Sequence, residues 1–422
     1  MINRPLRTCL AVITGAALLA GCDSGSPSET TAATKTDALE MFSWWTAGGE
    51  AEGLKAMYTV YDTKNPGVTV TNAAVAGSGG ANARAALAQR LQGGDPPDAF
   101  QVHIGAEILT YPPEQYVQSL DDLFAEHGWL DHFPAALKDL LKFDGHYYSV
   151  PVNVHRANVM FYNKKIFTDN GLQAPATLDE FFTVADTLKA KGITPFAFGN
   201  QGGWEDELLL ESVLIAGLGA ADYSALWSGS LAWTDPKVAT ALEAYNKMIS
   251  YANSDHSAMS FDGAAQLIVD GKAAMFIHGD WTDGYFTSKN FTGYGFAAAP
   301  GNKGVFDVVS DAFALPKDAK NQVNAEAWLD LAASKEGQEA FNPKKGSICA
   351  RTDCDQSLFN PYLQQSAKDF AADTLVLSSA SAAAPAYATA ANTATALLSA
   401  NGDIGAFQKA MQQACEDAGV CK

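Results

Sequence analysis

The chain is poor in positive charge: 28 Lys and Arg stand against 47 Asp and Glu, a formal net charge of −19 over 422 residues. A surface of that sign repels phosphate backbones and anionic lipid. It therefore excludes nucleic-acid binding and disfavours an acidic ligand, leaving a neutral one as the best fit. Long apolar runs are scarce too, and outside the N-terminus no stretch reads as a bilayer span. The common catalytic signatures are missing: no P-loop, no Gly-x-Ser-x-Gly, no His-Glu-x-x-His. There is no repeat of fixed period. What remains is a globular composition, 47% apolar and 10% aromatic, on a chain too long for one core, which predicts two domains or lobes.

The N-terminus reads as an export leader. Arg4 and Arg7 precede an apolar run from Leu10 to Ala20 that is too short for a stable span. Its end, Leu19-Ala20-Gly21-Cys22, resembles the lipobox of bacterial lipoproteins, which implies cleavage of residues 1–21 and lipid on the Cys22 thiol. The alternative is a plain leader with a chance cysteine. Residues 22–38, rich in Ser, Thr, Gly and Ala, bury too little apolar surface to order themselves and read as a flexible tether.

The body alternates strands and helices. A strand from Leu39 ends in Trp44 and Trp45. A helix follows with Leu54, Met57, Tyr58 and Tyr61 on one face, and it stops at Asn65-Pro66-Gly67. Val68–Val70, a helix carrying Leu87 and Leu91, and the strand Ala99–His103 complete a βαβαβ pattern, the mark of a mostly parallel α/β sheet. Ligands of such sheets sit beyond the carboxyl ends of strands, where Trp44, Trp45, Gln101 and His103 stand. Two β runs, Ser149–Val152 and Asn158–Tyr162, enclose polar Asn153, His155 and Arg156. This stretch reads as a crossover to a second lobe, its polar groups facing the gap. Beyond it the alternation restarts with a capping box at Thr177 and Glu180, the loop Gly199–Trp204, a proline-started helix at Asp235-Pro236, and the strand-turn Gly271–Trp281. Tyr294–Ala298 reads as a strand returning to the first lobe, and the Ala- and Ser-rich tail from Lys368 as helical.

These segments resemble the solute-binding proteins of sugar ABC transporters, and within them the glucose/mannose-type branch. The matching residues are Phe42–Glu50, Gly94–Gln101, Pro151–Arg156 with Met160–Lys164, Lys272–Met275 with Gly279–Trp281, Ser310–Phe313 with Leu315-Pro316, and Phe341–Pro343 with Lys345–Ser347. The resemblance implies a periplasmic binding protein-like type II fold, two α/β lobes joined by a hinge and closing on one monosaccharide. Lobe 1 is expected over 39–152 and 294–342, lobe 2 over 153–293 and 343–422. It also implies a binding protein without catalytic residues, cofactor or metal, exported and held at the outer face of the membrane by its lipid alone, or periplasmic. It is expected to act as a monomer with an ABC permease and its ATPase as partners. One departure bears on which sugar is bound: the family's usual histidine is absent from Leu377–Pro385, where Ser378, Ser379 and Ser381 are the polar residues.

A sugar offers apolar C–H faces and a rim of hydroxyls, so its site needs aromatic planes and fixed polar groups. Stacking falls to Trp44, Trp45, Trp204 and Trp281; hydroxyl contacts fall to Glu50, Gln101, His103, Asn153, His155, Asp280 and Asp311. Each has a structural competitor. Neighbours on a strand point to opposite faces, so one of Trp44 and Trp45 is a candidate for the core. Trp204 and Trp281 can serve packing. Glu50 suits a helix first turn, Asp280 an N-cap, and Asp311 a loop. The histidines and amides can be satisfied within the fold. Cys9 leaves with the leader. Cys349, Cys354, Cys415 and Cys421 permit three disulfide connectivities, of which local pairing is preferred, with zinc as the other reading. The rival functions are a secreted carbohydrate-active enzyme, for which Glu50 and Asp280 would be the acid pair, and a sugar-sensing lipoprotein. The site as read holds more aromatics and amides than acids, which favours binding.

Overall fold

The computed structural model describes residues 36–421; the leader, Cys22 and most of the tether lie outside the described residues. The first lobe is built on a five-stranded sheet, in the order Thr69–Asn72, Ala38–Phe42, Ala99–His103, Asp311–Ala314, Ser149–Pro151. Its first three strands are parallel and joined by the helices Gly48–Lys64 and Ala81–Gln92, as the βαβαβ pattern requires. Asp311–Ala314 then enters antiparallel, with Asp311 opposite His103 and Phe313 opposite Gln101. That register sets the polar ends of two strands side by side.

The second lobe carries a four-stranded sheet, in the order Tyr294–Ala298, Val159–Asn163, Ala273–His278, Thr194–Phe196. Strand alternation sends Met160 and Met275 into a core with the helices Leu178–Ala190, Trp204–Trp227 and Pro236–Ile249. It sends Phe161 and Phe276 to the opposite face, in apolar contact continuous with the first lobe. The expected domain boundary needs correction here. Tyr294–Ala298 does not return to the first lobe; it pairs antiparallel with Val159–Asn163, Tyr294 opposite Asn163. The crossing therefore begins at about residue 299. The pattern of residues announced a strand, but nothing local named its partner.

The chain passes between the two sheets three times, and each passage contributes one strand to a third, small sheet: His155–Arg156, Val305–Val309 and Thr374–Leu377. The strand Thr374–Leu377 falls within the tail expected to be helical. After it, Pro385–Asn401 and Ile404–Asp417 pack as a helical pair beside Trp204–Trp227 and Pro236–Ile249. Local pairing of the cysteines is what the structure contains, Cys349 with Cys354 and Cys415 with Cys421, so these four sulfurs offer no thiolate to zinc.

One further reading needs amendment. Among the described residues one helix, Trp204–Trp227, is long and apolar enough to cross a bilayer. Half of its apolar window is buried inside the fold, and Glu205, Asp206 and Glu211 are buried with it. Gly219, with φ +77°, breaks it. It packs as a core helix whose first turns reach the space between the lobes.

Candidate ligand-binding cleft

A cleft of about 1170 Å³ opens between the lobes. Of the residues expected at the site, Trp44, Trp45, Glu50, His103, His155, Trp204, Trp281 and Asp311 line it. Gln101, Asn153 and Asp280 do not; they stand directly behind the wall, all buried.

The wall is organised by Asp311. Its Oδ1 accepts from Gln101 Nε2 at 2.8 Å and its Oδ2 from Asn153 Nδ2 at 2.8 Å. His155 Nε2 lies 3.3 Å from Oδ2, and His103 Nε2 3.6 Å from Oδ1. Asn153 also accepts from the Asp311 N–H at 2.8 Å. Burial alone would raise the Asp311 pKa, but the His155 hydrogen bond and the Lys345, His155 and His103 charges hold it well below the usual carboxylate range. Asp311 is thus an ionised hub surrounded by protein donors, more than a free hand for a ligand hydroxyl. Behind it, Asp280 accepts from His155 Nδ1 through one oxygen and from the Arg156 N–H through the other, at 3.0 Å. Asp280 makes no side-chain cap for the helix Trp281–Ser288, so its role is to orient His155.

His103 is flanked likewise. Its Nδ1 sits 2.7 Å from Glu107, which is itself 3.8 Å from Arg84. Burial would lower the His103 pKa, yet Glu107 and Asp311 raise it overall. For Glu107, burial pulls upward but His103 and Arg84 bring it down to about 2. Carboxylates at both ring nitrogens favour an imidazolium at the cleft wall.

The two neighbouring tryptophans part company, as strand geometry permits. Trp45 is fully buried against Phe341 and Phe313, with ring centroids at 4.9 and 5.8 Å. Trp44 stays half-buried at the cleft, edge-on to His103, its backbone N–H donating to Gln101 Oε1 at 3.1 Å. Glu50 lies in the first turn of its helix and also accepts from Lys345 Nζ at 2.9 Å. Lys345 is buried and sits 5.7 Å from both the Trp45 and Trp281 rings. Trp204 and Trp281 face the cleft from the second lobe, 5.9 Å apart, edge-on to a buried His278.

Sequence reasoning missed Lys345, Arg84 and Glu107, and with them an acidic second wall. Glu205, Glu207, Glu211 and Asp262 also line the cleft, so it is richer in acids than expected. Burial pushes Glu205 up to about 8 and raises Glu207 and Glu211. Glu211 accepts from the Ser379 N–H, and Ser378 and Ser379 line the cleft where the family histidine is absent. A spacing rule that marks amphipathic helices does not mark acids that cluster at a helix start facing a gap.

A two-lobed α/β fold with three crossings and a ligand-sized cleft between the lobes defines a type II periplasmic solute-binding protein. The family model for bacterial extracellular solute-binding proteins matches residues 40–339, and the chain belongs to that family. It is 37% identical to an uncharacterized ABC transporter extracellular-binding protein of Pyrococcus horikoshii, over 83% of this chain and 80% of that one. It is 34% identical to a probable sugar-binding periplasmic protein of Rhizobium meliloti, over 81% and 83% of the two chains. Among solved structures it is similar to the bacterial solute receptor AcbH, which has an exclusive preference for β-D-galactopyranose. That likeness has a TM-score of 0.81 at 20% identity, over 90% of this chain and 98% of that one, and so concerns the fold alone.

Proposed function

We propose that this chain is the substrate-binding component of a carbohydrate ABC importer, capturing a neutral monosaccharide, a glucose-like hexose, between its lobes and delivering it to a permease driven by an ATPase. The observation that carries the reading is the pairing of indole planes with fixed polar groups around one cleft: Trp44 and Trp281 beside Glu50–Lys345 and the Asp311-centred histidines. Aromatic planes cover the C–H faces of a sugar. Hydrogen bonds to charged groups, worth about 1.5–3 kcal/mol each against roughly 0.5–1.5 for neutral ones, discriminate among hydroxyls. The relatives named as sugar-binding support it. An export leader and a lipid on Cys22 would hold the protein at the outer face of the cell membrane, or in the periplasm, as a monomer with no cofactor.

The enzyme reading loses its acid pair. Asp280 is enclosed behind His155, and Glu50 is engaged by Lys345, so the two do not flank a common bond. Titrating tryptophan fluorescence with D-glucose, D-mannose, D-galactose and D-xylose tests the proposal. Saturable change with the sugar recovered intact is expected. No response to any of them, or release of a product, overturns it.

A further inference from the structure

Two successive glycines line the cleft, one of them against the opposite lobe. Gly79, φ +53°, and Gly80, φ +88°, occupy the left-handed region and begin the helix Ala81–Gln92 of the first lobe. A Cβ at Gly79 would stand 2.7 Å from Cγ and Cδ1 of Trp204, which belongs to the second lobe. A Cβ at Gly80 would stand 2.8 Å from Cδ2 of Trp44, in the first. The glycine pair therefore lies between two indoles that line the cleft from opposite sides. Neither partner yields easily. Trp204 is wedged among Phe261, His278 and Trp281, with centroids at 5.8, 5.1 and 5.9 Å. The loop is tied to its own lobe by Arg84 donating to the Gly79 carbonyl at 3.4 Å and Asn82 donating to the Ala76 carbonyl at 3.1 Å.

We infer that Gly79 is a positioning residue for ligand capture. Its missing side chain lets the first lobe settle on the face of Trp204, and this contact sets the population of the closed, binding-competent state. That gives Trp204 a role other than stacking on the sugar, since one of its faces is taken by the opposite lobe. The inference rests on the capture reading for its consequence, but its geometry is tested without any ligand. Apparent affinity scales with the fraction of molecules that are competent, so reducing that fraction to about a tenth weakens binding about tenfold.

The test compares Gly79→Ala with Gly77→Ala by small-angle scattering of the ligand-free protein and by titration with D-glucose and D-galactose. Gly77 also has a positive φ, +107°, but its added Cβ would meet only the Asn82 amide of its own lobe, at 2.5 Å. It therefore controls for loop strain. We expect a larger radius of gyration and about tenfold weaker sugar binding for Gly79→Ala, the wild-type radius for Gly77→Ala, and recovery of the compact radius in Gly79→Ala with Trp204→Val. Equal radii in all variants, or expansion that Trp204→Val does not reverse, overturn the inference. If neither sugar binds any variant, the capture reading fails while the radii still decide the contact. Should Gly79→Ala not fold, the wild-type protein decides: its ligand-free scattering should fit the arrangement in which Gly79 and Trp204 touch, and a curve that fits only separated lobes overturns the inference.

Discussion

Replacing Asp311 by asparagine is the sharpest perturbation of the wall. The substitution keeps the shape and removes the charge. It also replaces one carboxylate oxygen by an amide NH2, which must face a donor, because Gln101 Nε2 and Asn153 Nδ2 each point at an Asp311 oxygen from 2.8 Å. Lys345, buried beside it, loses one of its two counter-charges, Glu50 being the other. Breaking a buried charge pair by removing one partner costs about 3–5 kcal/mol, a large share of the roughly 5–15 kcal/mol that holds a domain folded. Urea unfolding at pH 7 should show a lower midpoint with an unchanged slope. The sign of the pH dependence follows from the depressed pKa. The Asp311 contribution is fully present above the unfolded carboxylate value, about 3.9, and is lost as pH falls from there through the folded value. Wild type and Asp311→Asn should therefore converge only below about pH 4. A stability difference under about 1 kcal/mol at pH 7, or convergence already near pH 6, would refute the hub.

The adjacent tryptophans should separate in two assays. Trp45→Ala, which empties a site against Phe341 and Phe313, is expected to cost about 3–5 kcal/mol of stability, read from the urea midpoint. Trp44→Ala is expected to leave that midpoint nearly unchanged and to weaken sugar binding about tenfold, which is about 1.4 kcal/mol, by calorimetry. Reversed outcomes would contradict the assignment of core and cleft. The pH profile of stability should peak on the acid side of neutrality. Glu107, lowered to about 2, contributes stability that fades below pH about 4.5. Glu205, raised to about 8, and Asp307, raised to about 7, contribute stability present below their unfolded values and lost as pH rises through the folded ones. Thermal melts should therefore peak near pH 5 and fall toward pH 8, with Glu205→Gln flattening the alkaline limb; a maximum at pH 8 would oppose the burial of these acids.

The elements were legible where the chain carries local signals. The helix Gly48–Lys64 follows from apolar spacing, and Leu54, Met57 and Tyr61 are indeed buried. The capping residue Thr177 accepts from the Glu180 N–H at 3.2 Å, while the Glu180 carboxylate reaches the Ala176 N–H, one residue earlier than a reciprocal box requires. Partnership was less legible. Tyr294–Ala298 and Thr374–Leu377 are stabilised by strands far along the chain, Val159–Asn163 and Val305–Val309, and no local pattern encodes that choice. In the cleft, eight of the eleven residues named from their type line one cavity, and the other three stand behind its wall. Gln101, Asn153 and Asp280 have the chemistry of ligand contacts, and in the fold their side chains bond to Asp311 and His155. Lys345 escaped because a lysine beside a glycine turn reads as surface; only the tertiary packing of two indoles and Glu50 gives it a buried place.

The location of the sugar is the most direct test of the whole account. A crystal structure with the tightest-binding monosaccharide should show the pyranose between the lobes, an indole of Trp44 or Trp281 against its C–H face, and Glu50 and Lys345 within hydrogen-bond reach of its hydroxyls. A sugar bound outside that cleft, or contacting neither indole nor the Glu50–Lys345 pair, would contradict it.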